Sequence, residues 1–133
     1  MKKKLSLLVL AVATAALTLA GCGSGTASNS EENVFRVGME AGYAPFNWTQ
    51  LDESNGGVKI DGSPEYAGGY DVEIAKKIAD GLGKELVIVK TEWDGLVPSL
   101  TSGKIDAIIA GMSPTAERKE TIDFTDIYYK SDL

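Results

Sequence analysis

Three segments of the chain have the hydrophobic pattern of β-strands. VFRVGM (34–39), ELVIVKT (85–91) and IDAIIAG (105–111) are apolar and rich in β-branched residues, and each is bounded by polar or turn-forming positions. The runs at 85–91 and 105–111 are nearly continuous in apolar residues, which favours strands buried on both faces.

Between and after these strands the apolar positions follow a helical period. In YDVEIAKKIADGLGK (70–84) they recur every three or four residues, which predicts an amphipathic helix. Asp71 is the expected N-cap of this helix, and Gly83 is expected to end it. Shorter helices are predicted at 93–104 and 113–122.

The remaining segments carry no strong period. Residues 40–48 are predicted to form a loop that holds three aromatic side chains. Residues 50–69 contain many turn-forming residues and predict a loop excursion or a short ribbon. Residues 123–133 are predicted to be irregular or extended.

Strands that alternate with helices predict an α/β fold. We expect a parallel-type sheet with flanking helices and right-handed crossovers. In such sheets ligands bind beyond the carboxyl ends of the strands. The loops that follow Met39, Thr91 and Ala110 meet that description, and each carries polar or aromatic side chains.

The first residues have the order of a secretory signal. A basic start, MKKK, precedes a short apolar run that ends in Leu-Ala-Gly-Cys, so residues 1–21 are predicted to be a signal peptide. The apolar run is short for a membrane span, and a buried helix is the alternative. LAGC resembles the lipobox of bacterial lipoproteins, which predicts lipidation of Cys22; a free thiol is the alternative. Residues 22–33 are predicted to be a flexible tether, and residues 34–133 the folded part.

The charge and the cysteine content limit the disulfides and binding partners that the protein could have. Cys22 is the single cysteine, so no intramolecular disulfide forms. Removal of the three lysines of the predicted signal peptide changes the formal net charge from −6 to −9. Such a chain offers no basic surface for phosphates, which argues against nucleic-acid binding. No metal or cofactor site is expected.

The segment GMSPTAERK (111–119) has the features of an anion site. Ser113 or Thr115 is expected to cap the helix that follows, and helix-start amides attract anions. Arg118 adds a planar group that grips a carboxylate with two parallel hydrogen bonds. The alternative is ordinary capping, with Arg118 as a surface residue paired to Glu117 or Asp123.

Residues of the other two loops suggest a site for a zwitterion. Glu40 follows one strand and could attract an amine, while Arg118 attracts a carboxylate. Tyr43 and Trp93 are expected to form the walls, or to hold a cationic group through their rings. For Phe46 we expect core packing instead.

In several segments the chain resembles a known family. FRVGMEAGYAPFNW, GGYDVEIAKKIADGLGK and KTEWDGLVPSLTSGKIDAIIAGMSPTAERKETIDFTDIYY are similar, in order and spacing, to the first lobe of polar amino-acid-binding proteins of ABC importers. These are the type II, family 3 extracellular solute-binding proteins. The resemblance covers residues 35–130 and implies an incomplete first lobe of a two-lobe protein, without the second lobe or the segment that returns to the first.

The resemblance implies roles for individual residues. Arg118 and Ser113 would hold the ligand α-carboxylate, and the carbonyl of Gly111 would receive the α-ammonium. Glu40 would face the amine or polar side chain. Tyr43 and Trp93 would enclose the ligand side chain. A further group, Asp71 and Thr115, is expected to support the local structure.

The resemblance also implies a function and its partners. The expected ligand is a polar amino acid such as glutamine, arginine or lysine, and the expected partner is an ABC permease in the membrane. The protein would stand outside the cytoplasm, lipid-anchored to the outer face of the cell membrane, and would not be an enzyme. One lobe alone leaves the ligand open to water, so weak binding is expected. The alternatives are an enzyme of the cyclic hydroxy-acid dehydratase type, a sensory or interaction lobe, and a nonfunctional remnant.

Overall fold

The computed structural model of the protein describes residues 29–132. The predicted signal peptide, the lipidation site Cys22 and the tether up to residue 28 lie outside the described residues. A single helical turn, α1, occupies Asn29–Glu32 at the end of the predicted tether.

Seven strands and three further helices follow α1 in the described part of the chain. The strands are β1 (Val34–Met39), β2 (Gly42–Tyr43), β3 (Asn47–Gln50), β4 (Val58–Lys59), β5 (Tyr66–Gly68), β6 (Glu85–Lys90) and β7 (Ala107–Ile108). The helices are α2 (Tyr70–Leu82), α3 (Trp93–Thr101) and α4 (Ala116–Lys119).

The central sheet is parallel and has β1 in the middle. Its order is β6-β1-β7, and Met39 of β1 lies opposite Lys90 of β6. Gly38 of β1 lies opposite Ile108 of β7. Helix α2 packs against β6, and α3 packs against β1 and β7. Right-handed crossovers, the rule for such parallel connections, would place these helices on opposite faces of the sheet. The predicted α/β class, with a parallel sheet and flanking helices, is confirmed.

A second, antiparallel sheet is built from residues 42–68. Its order is β2-β3-β5-β4, and Trp48 pairs with both Gly42 and Gly68. Of the two alternatives for residues 50–69, a loop excursion or a short ribbon, the strands β4 and β5 agree with the ribbon. Residues 40–48 were predicted to form a loop, and instead they contain β2 and the start of β3. Strands of two and four residues around Pro45 are too short to show a clear alternating pattern.

Helix α2 begins and ends through its backbone. Its N-cap is Gly69, so the prediction that Asp71 caps the helix is wrong. The carboxylate of Asp71 is buried inside the first turn and bonds to side chains of other elements instead. Gly83 ends the helix as predicted, with a positive φ of 65°. Its neighbour Lys84 donates its backbone N–H to the Ala79 carbonyl, which closes the last turn.

Two elements near the end of the chain are shorter than predicted. Strand β7 pairs only over Ala107–Ile108, because the chain turns away from β1 before Gly111. Helix α4 is a single turn, and Thr115 is its N-cap rather than Ser113. The hydroxyl of Thr115 accepts a hydrogen bond from the backbone N–H of Arg118 at 3.2 Å.

The core lies between the parallel sheet and its two helices. Fully buried side chains come from the sheet (Val37, Met39, Ile88), from α2 (Val72, Ala75) and from α3 (Leu96). Ile60 extends the core from the ribbon and bridges to Ile88 on the outer strand of the sheet. Within residues 29–132, the helices are too short or too polar to cross a membrane.

Leu96 provides a test of this core. Leu96→Ala should lower the free energy of unfolding by about 2–5 kcal/mol, because it removes a buried side chain and leaves a cavity. Leu51 is 86% exposed, so Leu51→Ala is the matched control and should change stability by less than about 0.5 kcal/mol. Urea unfolding of both variants checks this, and equal losses would contradict the position of Leu96 in the core.

Candidate functional site

The candidate site lies at the carboxyl edge of the parallel sheet. Glu40 follows the central strand β1, Trp93 comes three residues after the end of β6, and Gly111 comes three residues after the end of β7. The backbone N–H of Thr91 donates to the Met39 carbonyl at 2.9 Å, which extends the pairing of β1 and β6 into their loops. Parallel pairing therefore brings the three predicted loops to one edge.

Arg118 is half-buried and is held by three different contacts. One guanidinium nitrogen, Nη1, donates to the backbone carbonyl of Ser113 at 2.8 Å. The guanidinium carbon lies 5.4 Å from the centre of the Trp93 ring, within the range of a cation–π interaction. The Thr115 hydroxyl fixes the backbone at Arg118. These contacts engage one of the five guanidinium N–H groups in a hydrogen bond with a described residue, and the other four have no hydrogen-bond partner among the described residues.

The contacts of Arg118 do not fit the alternative of a surface arginine paired with a nearby carboxylate. Within residues 29–132 the one ion pair joins Lys76 and Glu73 at 2.7 Å, so Arg118 is not paired with Glu117 or Asp123. Ser113 contributes its carbonyl to Arg118, and its hydroxyl is exposed. Because α4 is one turn long, its dipole is small, and the charge on Arg118 is the main attraction for an anion at this point.

Tyr43 and Gly111 are in contact at the same edge. Gly111 has a φ of +64°, a left-handed conformation that favours glycine. A Cβ atom at this position would lie 3.2 Å from Cε1 of Tyr43, so the ring covers the backbone of Gly111. Tyr43 is 52% exposed, so about half of its surface is accessible to solvent.

Tyr43 belongs to an aromatic cluster, formed by the side chains of Tyr43, Phe46, Tyr70, Tyr128 and Tyr129. Phe46 is half-buried at its centre, stacks on Tyr43 at a centroid distance of 5.2 Å and meets Tyr129 edge-on at 4.9 Å. Phe46 therefore packs inside the aromatic cluster and is not part of the hydrophobic core, where it was predicted to lie. Tyr128 and Tyr129 were not predicted to take part, because in the sequence they are only a pair of adjacent aromatic residues in a polar tail.

A chain of hydrogen bonds runs through this cluster. Asp71 is fully buried, and its two carboxylate oxygens accept from Asn47 Nδ2 at 2.8 Å and from the Tyr128 hydroxyl at 2.7 Å. The Tyr128 hydroxyl oxygen accepts from the backbone N–H of Gly111 at 3.2 Å. Burial, together with the hydrogen bond to Asp71, raises the pKa of Tyr128 above its ordinary value, so the phenol stays protonated at neutral pH.

Two predicted residues have fewer contacts. Glu40 is half-buried, and no hydrogen bond or ion pair joins its side chain to residues 31–132. Trp93 is also half-buried and is the first residue of α3. The predicted residues thus form two groups in the structure. One group contains Arg118, Trp93, Ser113 and Thr115. The other contains Tyr43, Gly111 and Asp71.

Two surface depressions are lined by other residues. One of about 530 Å³ is lined by Pro114, Lys119 and residues 122–127, and another of about 820 Å³ is lined by residues 58–64 and 85–87. Neither is lined by the six residues predicted to bind ligand. In the part of the chain that the structure describes, no cluster of three or more acidic, histidine or cysteine side chains could hold a metal ion.

Residues 35–133 match the bacterial extracellular solute-binding proteins, family 3. The chain belongs to this family. It is 36% identical over 129 residues to the arginine-binding extracellular protein ArtP of Bacillus subtilis (strain 168), covering 97% of this chain and 45% of the relative. It is 36% identical over 126 residues to a probable histidine-binding protein of Campylobacter jejuni, covering 90% of this chain and 44% of that relative. The chain thus spans about half the length of these curated relatives.

Solved structures show the same fold. The arginine-bound form of domain 1 from TmArgBP is 40% identical, with a TM-score of 0.61, and the match covers 77% of this chain and 71% of that one. The ancestral amino acid-binding protein AncCDT-1, described as a precursor of cyclohexadienyl dehydratase, is 36% identical, with a TM-score of 0.61 and a coverage of 74% and 39%. The two curated relatives are both described as binding proteins.

The buried carboxylate of Asp71 can be tested directly. Asp71→Ala should lower the free energy of unfolding by about 1–3 kcal/mol, because the buried amide of Asn47 loses its acceptor. Asp80 is exposed on the same helix, so Asp80→Ala is the matched control and should change stability by less than about 0.5 kcal/mol. Denaturant unfolding monitored by circular dichroism checks the pair. If Asp71→Ala left the free energy of unfolding unchanged, the hydrogen bonds to Asp71 would not stabilise the fold.

Proposed function

We propose that this member of the family 3 extracellular solute-binding proteins is the amino-acid-binding component of an ABC importer, and that it binds a basic amino acid at the carboxyl edge of its parallel sheet. The observation that carries the proposal is how Arg118 is oriented and which contacts it makes. Its guanidinium is oriented by Trp93 and Ser113, and it has no carboxylate partner among the described residues. An oriented arginine with unused donors at the ends of parallel strands suits a carboxylate ligand.

Arg118 and Ser113 form the carboxylate end of the proposed site. The carbonyl of Ser113 accepts from Nη1, which fixes the plane of the guanidinium. The ligand α-carboxylate then accepts two parallel hydrogen bonds from the remaining N–H groups, and the exposed Ser113 hydroxyl adds a third. Trp93 contributes in two ways, since its ring holds Arg118 and its remaining surface lines the site.

Glu40 and Gly111 form the ammonium end of the proposed site. The Gly111 carbonyl accepts from the α-ammonium, and the Glu40 carboxylate attracts the cationic end of the side chain. Tyr43, which already covers Gly111, forms the wall along the aliphatic part of the ligand. The two ends then match the opposite charges of a zwitterionic amino acid.

A basic ligand is favoured within the group of glutamine, arginine and lysine. Glu40 is half-buried and has no cationic partner among the described residues, so a guanidinium or ammonium group of the ligand would compensate its charge. The exposed face of Tyr43 also attracts cations. The arginine named for ArtP and for domain 1 from TmArgBP supports the same class. That domain is arginine-bound as a separate unit, which supports ligand binding by a single lobe.

The cellular setting completes the proposal. Residues 34–133 form the N-terminal part of the first lobe of the binding protein. The signal-like residues 1–21 and the lipobox-like sequence at Cys22 support export and a lipid anchor on the outer face of the membrane. From there the protein would deliver its ligand to an ABC permease. The role proposed is binding without catalysis, in keeping with the names of the relatives.

Arg118 provides the first test of this function. Isothermal calorimetry with L-arginine should show binding that is weakened at least about tenfold by Arg118→Ala, since the ligand carboxylate loses its charged partner. Lys119→Ala is the matched control, because it removes the same charge from the neighbouring, exposed residue of α4. Undiminished binding by Arg118→Ala would exclude Arg118 as the carboxylate ligand.

Glu40 tests the preference for basic ligands. The unaltered protein should bind arginine and lysine more tightly than glutamine, and Glu40→Gln should reduce this preference about tenfold by removing the attraction between opposite charges. Glu92→Gln is the control, since it makes the same change at an exposed position in the loop after β6. Competition experiments with the three amino acids measure the preference. An unchanged order in Glu40→Gln would assign selectivity to other residues.

A further inference from the structure

A tyrosine in the tail segment after α4 forms a hydrogen bond with the backbone of the proposed site. Tyr128 lies seventeen positions after Gly111, and its hydroxyl accepts from the Gly111 backbone N–H at 3.2 Å. Gly111 has an exposed backbone in a segment with few regular hydrogen bonds, so this contact is one of the few that fix its peptide. Sequence analysis gave Tyr128 no role.

The hydroxyl of Tyr128 is itself fixed from the interior of the protein. It donates to Asp71 Oδ1 at 2.7 Å, and Asp71 is fully buried in the first turn of α2. The second oxygen of Asp71 accepts from Asn47 of β3, which is also fully buried. Since a carboxylate can only accept, the phenolic proton points to Asp71. The phenolic oxygen is therefore left to accept from Gly111.

The ring and backbone of Tyr128 are held as well. Its ring stacks on that of Tyr70 at a centroid distance of 6.1 Å and an angle of 25°. The Tyr70 hydroxyl donates to the backbone carbonyl of Tyr128 at 3.0 Å. Ring, backbone and hydroxyl are thus each constrained by a different contact, so the position of the acceptor presented to Gly111 is well defined.

We propose that Tyr128 is a positioning residue, which transmits the fixed position of buried Asp71 to the backbone N–H of Gly111 and, through the left-handed φ of Gly111, helps to orient the Gly111 carbonyl in the following peptide toward the α-ammonium of the ligand. Three constraints then act on Gly111: its left-handed φ, the contact with the ring of Tyr43 and the hydrogen bond that its N–H donates to the Tyr128 hydroxyl. Tyr128 does not itself touch the ligand in this arrangement. The ligand part of this inference rests on the proposed function.

The link to Gly111 can be tested without a ligand. Tyr128→Phe keeps the ring and removes the hydroxyl. Tyr129→Phe is the matched control, because the Tyr129 hydroxyl has no hydrogen-bond partner among the described residues while its ring packs in the same cluster. In ¹H–¹⁵N spectra of the protein, the Gly111 amide proton should shift upfield in Tyr128→Phe and stay in place in Tyr129→Phe. A Gly111 signal unaffected by Tyr128→Phe would overturn the link.

Hydrogen exchange in the unaltered protein gives a measurement that needs no variant. The Gly111 amide should exchange at least about tenfold more slowly than a freely exposed amide of the same sequence, because the bond to Tyr128 must open first. Exchange at the free rate would overturn the link even if Tyr128→Phe failed to fold.

Ligand binding separates a positioning role from a merely structural one. Tyr128→Phe should weaken the binding of L-arginine about three- to tenfold, which is the effect of losing one hydrogen bond. It should change binding of 5-guanidinopentanoic acid, which lacks the α-amino group, by less than about twofold, since Gly111 has no ammonium to receive there. Equal losses for both ligands would overturn the positioning role. If the unaltered protein bound neither ligand, the proposed function would fail, while the Gly111 amide would still decide the link.

Discussion

The parallel pairing of β1 with strands on both sides determines where the candidate site residues lie. Because β6 and β7 run in the same direction as β1, their following loops emerge at one edge of the sheet. Glu40, Trp93 and Gly111 come from three distant parts of the sequence, and only this pairing brings their segments to the same edge. The buried side chains of Val37, Met39 and Ile88 stabilise the pairing, so the hydrophobic core and the geometry of the site depend on the same three strands.

A second constraint acts inside the smaller sheet and the aromatic cluster. Asp71 is a buried carboxylate in an environment of aromatic rings, and burial of such a group is costly unless its oxygens accept hydrogen bonds. Asn47 and Tyr128 supply them from β3 and from the tail segment. The requirement to satisfy one carboxylate therefore ties together three elements that the parallel sheet does not connect. Asn47 Oδ1, the one described buried side-chain atom without a partner, lies in this same network.

The sequence predicted the larger part of the fold and only part of the site. Three strands, the long helix and its end at Gly83 follow from hydrophobic period and glycine conformation, which are local properties. The role of Asp71 did not follow, because an aspartate before a helical pattern is normally a cap, and its real partners lie 24 and 57 positions away. Tyr128 was missed for the same reason. The cation–π contact between Trp93 and Arg118 also depends on the sheet register and could not be seen in either segment alone.

The contacts of Arg118 are informative because the chain is rich in acidic residues. The protein carries 19 acidic residues, and three of them, Glu117, Glu120 and Asp123, lie within five positions of Arg118 in the sequence. A surface arginine in that setting would ordinarily find a carboxylate. Instead, Trp93 and the Ser113 carbonyl orient the guanidinium while leaving most of its charge uncompensated by the described residues. Contacts with a ring and a neutral carbonyl hold the group in place without neutralising it, so its attraction for an incoming carboxylate is preserved.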